Sequence, residues 1–274
     1  MNIDIDDTDS WPDDFLQIIS DNKALFIQYH QEEKRVDKLC REDIALRINR
    51  PLNPHKEEYE AVAAQLDTIL QTHNIVGYHC TRLTAHEIQN IRSSGLKILT
   101  PDLIELRLQT ALNQGILSAE AHAYISNSSM LKSSINNEYG ERTGMIWFCP
   151  NQETLSESDS VYRLFRSWGG EALYNGHEED EEIAPHLRSI GAPCIVKCAM
   201  PFSEAENYSS SYAKRFISRF ILDEIEYPEP PYSFDMHMKR DLTPAEILGI
   251  IKISDPQFEE LTDYKNWPDE EQIV

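Results

Sequence analysis

The chain reads as organised around Val76-Gly77-Tyr78-His79-Cys80-Thr81-Arg82-Leu83, which continues from Thr84 to Leu96. The apolar residues predict a short buried strand. His79 and Thr81 fall at alternate positions, so they share one face of it. Thr84 suits an N-cap, and Glu87 three residues later completes a capping box. Ile88 and Ile91 then face inward, Gly95 marks the C-terminal stop, and Leu96 is its hydrophobic partner. A polar pair at the end of an apolar strand has few structural uses. Its functional use is to hold hydroxyls or the amide of a ligand. The alternative for His79 is a hydrogen-bonded core histidine.

Upstream, Met1 to Asp9 reads as a disordered acidic end without the basic-then-apolar layout of a signal peptide. Phe15, Ile18, Ile19, Leu25, Phe26 and Tyr29 fall at helical spacings. The run Arg50-Pro51-Leu52-Asn53-Pro54 breaks that region. Tyr59, Val62, Leu66 and Ile69 then give a helix from His55 to Thr72 its apolar stripe. Residues 1–72 are thus an acidic tail with a helical region, and 73–274 are an α+β domain.

Downstream, Thr100-Pro101-Asp102 opens a helix that runs to Gly115, and a further helical piece covers Ala119 to Tyr124. Ser126 to Asn137 is polar and reads as a loop. Gly144 to Cys149 is uniformly apolar, as a central strand would be. Ser156 to Trp168 carries Val161, Leu164, Phe165 and Trp168 on one helical face. Glu171 to Tyr174 is a short strand or turn, and the acidic run His177 to Glu182 a solvated loop. A strand over Pro193 to Met200 buries Cys194 and Cys198 on one face. A helix follows over Ser209 to Asp223, then a strand over Ser233 to Lys239. Thr243-Pro244-Ala245-Glu246 is a second capping box and leads into an apolar strand, Ile247 to Ile253.

Composition narrows the functional classes. The net charge of −22 disfavours general electrostatic binding to duplex nucleic acid and suits a basic partner or plain solubility. The five cysteines include no CxxC pair, so neither a zinc site nor a disulfide framework is expected. No apolar run approaches the roughly 20 residues a membrane helix needs. The expected location is cytoplasmic, with no membrane partner.

Tyr78-His79-x-Thr81, the helix after it and Gly95-Leu96 together resemble the first motif of the ADP-ribosyltransferase superfamily. The resemblance spans residues 75 to 253. It implies a split, mainly antiparallel sheet, here with an N-terminal helical region added. NAD would be the cofactor. Its binding residues would be Tyr78, His79, Thr81 and Arg82, with His79 on a ribose hydroxyl. Gly144 to Cys149 and the helix bearing Tyr162 resemble the family's middle segment. Trp147, Phe148, Tyr162 and Tyr174 are the aromatics offered for stacking, with core packing as the alternative for each. The implied activity is transfer of ADP-ribose to a protein or nucleic-acid acceptor, as in bacterial toxins and defence effectors. A neutralising protein partner belongs to that picture.

Breaking the bond to nicotinamide develops positive charge on the ribose, which a fixed carboxylate stabilises. The family supplies a late glutamate, whereas Phe234-Asp235-Met236-His237-Met238-Lys239 has none. Glu171, inside Trp168-Gly169-Gly170-Glu171-Ala172-Leu173-Tyr174, and Asp235 are therefore the catalytic candidates beside His79, and His237 is a further one for the late slot. Glu171 either pairs with Arg82 or Arg166 or faces a cleft. Two readings stand beside the transferase. One is NAD-dependent removal of a 2′-phosphate from RNA, using arginines 82, 163 and 166. The other is a non-catalytic acidic binding or inhibitory protein.

Overall fold

The computed structural model describes residues 1–136, 143–156, 158–207, 211–222, 224–225, 236–268 and 273. The chain is α+β, with both parallel and antiparallel pairing. It divides into two units. The first holds Met1–Ile75, Pro201–Ser203 and the described part of Tyr208–Phe234. The second holds Val76–Met200, Glu204–Asn207 and the described part of Asp235–Val274.

The acidic end is ordered, which corrects the expectation for Met1 to Asp9. Strand β1 (Asn2–Ile3) pairs in parallel with Asn74 and Ile75, the start of β2 (Asn74–Leu83). Ile3 and Ile5 are buried, and the Trp11 indole donates to the Asp4 carbonyl at 2.9 Å. The run of aspartates disguised an apolar alternation with the period of a strand.

Helices α1 (Asp13–Asp21), α2 (Lys23–Glu42), α3 (Ile44–Ile48) and α4 (Lys56–Leu70) complete the N-terminal region. The buried stripe of α4 is Tyr59, Ala63, Leu66 and Leu70, while Val62 and Ile69 are only half-buried. The expected and observed stripes share Tyr59 and Leu66. Spacings of three and four both satisfy a 3.6-residue turn, and packing placed Ala63 and Leu70 inside where Val62 and Ile69 were expected.

After β2, α5 (Ala85–Ser94) and α6 (Pro101–Asn113) start at the caps the sequence marks, Thr84 and Thr100. Helix α7 (Ala119–Asn127) is followed at once by α8 (Ser129–Ile135), where a loop was expected. Ser128 ends the first and caps the second, and the buried Ile125 and Leu131 hold the pair down. Strand β3 (Ile146–Phe148) is shorter than expected. An additional helix, α9 (Gln152–Ser156), precedes α10 (Ser158–Arg166), which occupies the expected stretch Ser156 to Trp168, and Glu171–Tyr174 is a one-turn helix, α11.

Then come α12 (Ala184–Ser189), β4 (Ala192–Pro201) and β5 (Glu206–Asn207). Cys194 and Cys198 are fully buried, and burial pushes the Cys194 thiol up to about 11 and that of Cys198 higher still. Helix α13 (Ala213–Phe220) returns to the first unit, where the Phe216 ring meets Trp11 and Phe15 edge-on. Strands β6 (Met236–Met238) and β7 (Ile247–Lys252) and helix α14 (Pro256–Thr262) complete the second unit.

Within that unit β4 lies between β2 and β7, antiparallel to β7. A second sheet runs β3-β6-β5, all antiparallel. Strand β3 is therefore at one end of its sheet, not at the centre. Its tail joins the other sheet at one bridge, Tyr78 to Cys149, with N–H···O bonds of 2.8 and 2.9 Å. Gly77 permits that approach, because a Cβ there would lie 2.6 Å from Met200 Cε and 3.2 Å from Phe148 Cβ.

Candidate functional site

Alternation sorts the residues of β2 onto two faces. Tyr78, Cys80 and Arg82 point one way. Tyr78 and Cys80 enter the hydrophobic cluster that contains Phe165 and Phe258. The Arg82 guanidinium donates to the carbonyls of Phe165, Ile190, Gly191 and Ile273 at 2.9–3.0 Å. Tyr78 and Arg82 thus lie opposite the face of His79, and the expected wall of four adjacent residues reduces to His79 and Thr81. Arg82 also has no bond to Glu171.

His79 is half-buried and stands where the two sheets part. In a continuing antiparallel ladder, the hydrogen-bonded pair after Tyr78–Cys149 would be Cys80 with Trp147. The Trp147 carbonyl is bonded instead by His79 Nδ1, at 2.9 Å. A carbonyl only accepts, so Nδ1 carries the proton and Nε2 is left with the lone pair. No described residue bonds Nε2. Burial pushes the His79 pKa down, and the charge of Arg107 adds to this, outweighing the carbonyl bond. The ring stays neutral and presents a fixed acceptor. Phe148 meets it edge-on, with centroids 6.0 Å apart, and Thr81 lies buried two positions along the same face.

Arg107 and Glu87 form the charged part of the site. Glu87 Oε2 accepts from Thr84 N at 2.7 Å, closing the capping box. Its Oε1 accepts from Arg107 Nε at 2.7 Å, and Trp168 Nε1 donates to both oxygens at 3.2 and 3.0 Å. Burial raises the Glu87 carboxyl, but the Arg107 charge and these donors outweigh it and hold the group ionised. The Arg107 guanidinium lies over the Trp168 ring, 4.7 Å from its centroid. In the sequence Glu87 reads as a cap only, and Arg107 belongs to no motif. A signal was present: Arg107 stands three residues after Ile104 and four before Ala111, on the buried stripe of α6. A cation on an apolar stripe implies a buried partner.

The other expected residues make contacts of their own. Glu171 opens α11, and its charge acts on Arg163. Gly169 and Gly170 have φ of 102° and 75°, and a Cβ at Gly169 would strike Leu173 at 2.2 Å. Gly169 therefore serves the chain's own packing, whereas a Cβ at Gly170 would meet nothing within 4 Å and only its positive φ favours glycine. Tyr174 is buried in a second core cluster with Trp168, beneath Arg163. Tyr162 sits at the edge of the first cluster, with Arg166 over its ring. Glu178 is no solvated member of an acidic run: it binds both Arg163 and Arg166. Burial raises its carboxyl, and those two arginines outweigh the effect. Arginines 82, 163 and 166 all bond to groups within the protein.

A second histidine lies across the sheet β3-β6-β5. Trp147, His237 and Glu206 face one another in register, with the Trp147 and His237 rings 4.8 Å apart and His237 Nε2 3.4 Å from Glu206. Lys239 binds the same carboxylate at 2.7 Å and holds its pKa below the usual range. Glu206 is a late carboxylate that the sequence reading passed over. Trp147 serves both histidines, giving its carbonyl to His79 and its ring to His237. Asp235 lies outside the described residues. Among the described residues no cluster of metal ligands occurs, and no helix is long and apolar enough to cross a membrane. No protein-family model, curated protein or solved structure matches this chain.

Proposed function

We propose that the second unit is an NAD-dependent ADP-ribosyltransferase acting on a protein or nucleic-acid acceptor. The observation that carries this reading is the tautomer of His79. A neutral imidazole has its Nδ1–H tied to Trp147 and its Nε2 lone pair open, where two sheets separate. It suits a hydroxyl donor such as a ribose hydroxyl.

NAD would supply an ADP-ribosyl group on a nicotinamide leaving group. His79 holds the ribose through Nε2 and Thr81 supports the same wall. Phe148 packs edge-on against His79. The carboxylate partner is Glu171 or Asp235, which stabilises positive charge on the ribose and accepts the proton of the incoming acceptor. The neutralising partner and the role as toxin or defence effector belong to the same proposal.

Titration calorimetry with NAD tests it. Asn at position 79 keeps a donor near Nδ1 and deletes Nε2, whereas Gln reaches the Nε2 position. The wild type is expected to bind NAD, His79→Asn to lose at least about tenfold in affinity, and His79→Gln to lose less. No heat with millimolar NAD, or equal binding by His79→Asn, sinks the reading. Glu171→Gln is expected to keep the fold and abolish transfer of labelled ADP-ribose in lysate. Unchanged transfer removes Glu171 and leaves Asp235.

A further inference from the structure

The Arg107 guanidinium is fixed on two sides and unpaired on the third. Its Nε edge is tied to Glu87 at 2.7 Å, and its plane lies over Trp168. Glu87 is held in turn by Thr84 N and Trp168 Nε1, so the pair cannot easily rotate. Neither Nη nitrogen is hydrogen-bonded to a described residue. Nη2 is shielded from solvent as well, which leaves a buried donor without an acceptor.

Buried polar groups are nearly always paired, and an unpaired one is costly. Arginine presents its N–H groups as a planar fork that matches two oxygens of a phosphate. Glu87 occupies only the Nε edge, so the Nη1–Nη2 edge still offers that fork. Shielding from water strengthens a charge-assisted bond made there. The charge of Arg107 also reaches His79. The fork and the His79 acceptor thus have complementary roles, one for an anionic oxygen and one for a hydroxyl.

We infer that Arg107 is a ligand-binding residue whose unpaired guanidinium edge takes the phosphate oxygens of a pyrophosphate-bearing ligand, with Glu87 and Trp168 as its positioning residues. This rests on the NAD reading for the identity of the ligand, but not for the chemistry of the subsite.

The test is calorimetry on the full chain with three probes: NAD, nicotinamide riboside and inorganic pyrophosphate. Arg107→Lys keeps a cation for Glu87 but loses the fork. Arg107→Gln removes the charge, and thermal melting checks that each variant folds. The expected result is a loss of about tenfold or more for NAD and pyrophosphate in Arg107→Lys, with nicotinamide riboside unchanged. Equal losses for all three probes, or no loss for any, overturn the subsite. Wild-type binding of pyrophosphate without NAD, weakened by Arg107→Lys, keeps the subsite and removes the NAD reading. Unchanged NAD binding by folded Arg107→Lys does the reverse. No binding of either ligand by the wild type overturns both.

Discussion

Arg82 and Arg107 are the same residue type put to opposite uses. Arg82 follows the motif histidine closely in sequence, yet it ends on the other face of β2. Its guanidinium is consumed by four backbone carbonyls. Arg107 lies on a different element, and only its Nε edge is held, by Glu87. The difference teaches that proximity in sequence is a poor guide to a strand-borne site, because each step along a strand reverses the face. What marks a binding arginine is the donors left over after the protein has taken its own.

The comparison can be broken first at Arg82. Arg82→Met leaves those carbonyls buried without a donor, so urea unfolding is expected to show a loss of about 4 kcal/mol. A loss below about 1 kcal/mol would return Arg82 to the pool of ligand-binding candidates. Glu87→Gln is next. It removes the charge that compensates Arg107 and weakens the cap of α5, with an expected cost of about 3 kcal/mol. Losing much less would show that Arg107 finds another anion, and the rigidity argued for its fork would fall.

The pH dependence of stability sharpens the contrast at a smaller scale. The folded-state pKa of His79 lies below its ordinary 6.5, so the unfolded chain takes up a proton that the folded ring resists. This contribution is fully present above pH 6.5 and is lost as pH falls towards the folded value. Glu87, also lowered, acts with the same sign below its ordinary 4.5. The urea midpoint should hold above neutrality and fall below pH 6.5, and His79→Asn should remove part of that first decline. An unchanged slope in the variant would mean that His79 is not held neutral. The smallest effect is on stability at pH 7, where His79→Asn is expected to cost less than about 1 kcal/mol, since Asn replaces the Nδ1 bond.

Local signals carried much of the fold. The capping box at Thr84, the cap at Thr100 and the apolar runs of β2 and β4 stand where the sequence places them, because each depends on neighbours within a few residues. What failed was set from farther away. The helix at Ser129 hides in polar residues, since Leu131 alone among its residues is fully buried. The aspartates of the N-terminus mask Ile3 and Ile5. At the site, the strand and the face of His79 were legible, but the tautomer was not, because Trp147 is 68 residues away. Nor was the use of Glu178 by two arginines, which needed the packing of α10 against the turn after α11.

The carboxylate of Glu87 both starts a helix and holds Arg107 in place. One mutation there would damage the cap and release the guanidinium together, and neither loss could be repaired alone. Positions 87 and 107 can therefore drift only as a pair, so among descendants of this chain a change at one should be found with a change at the other.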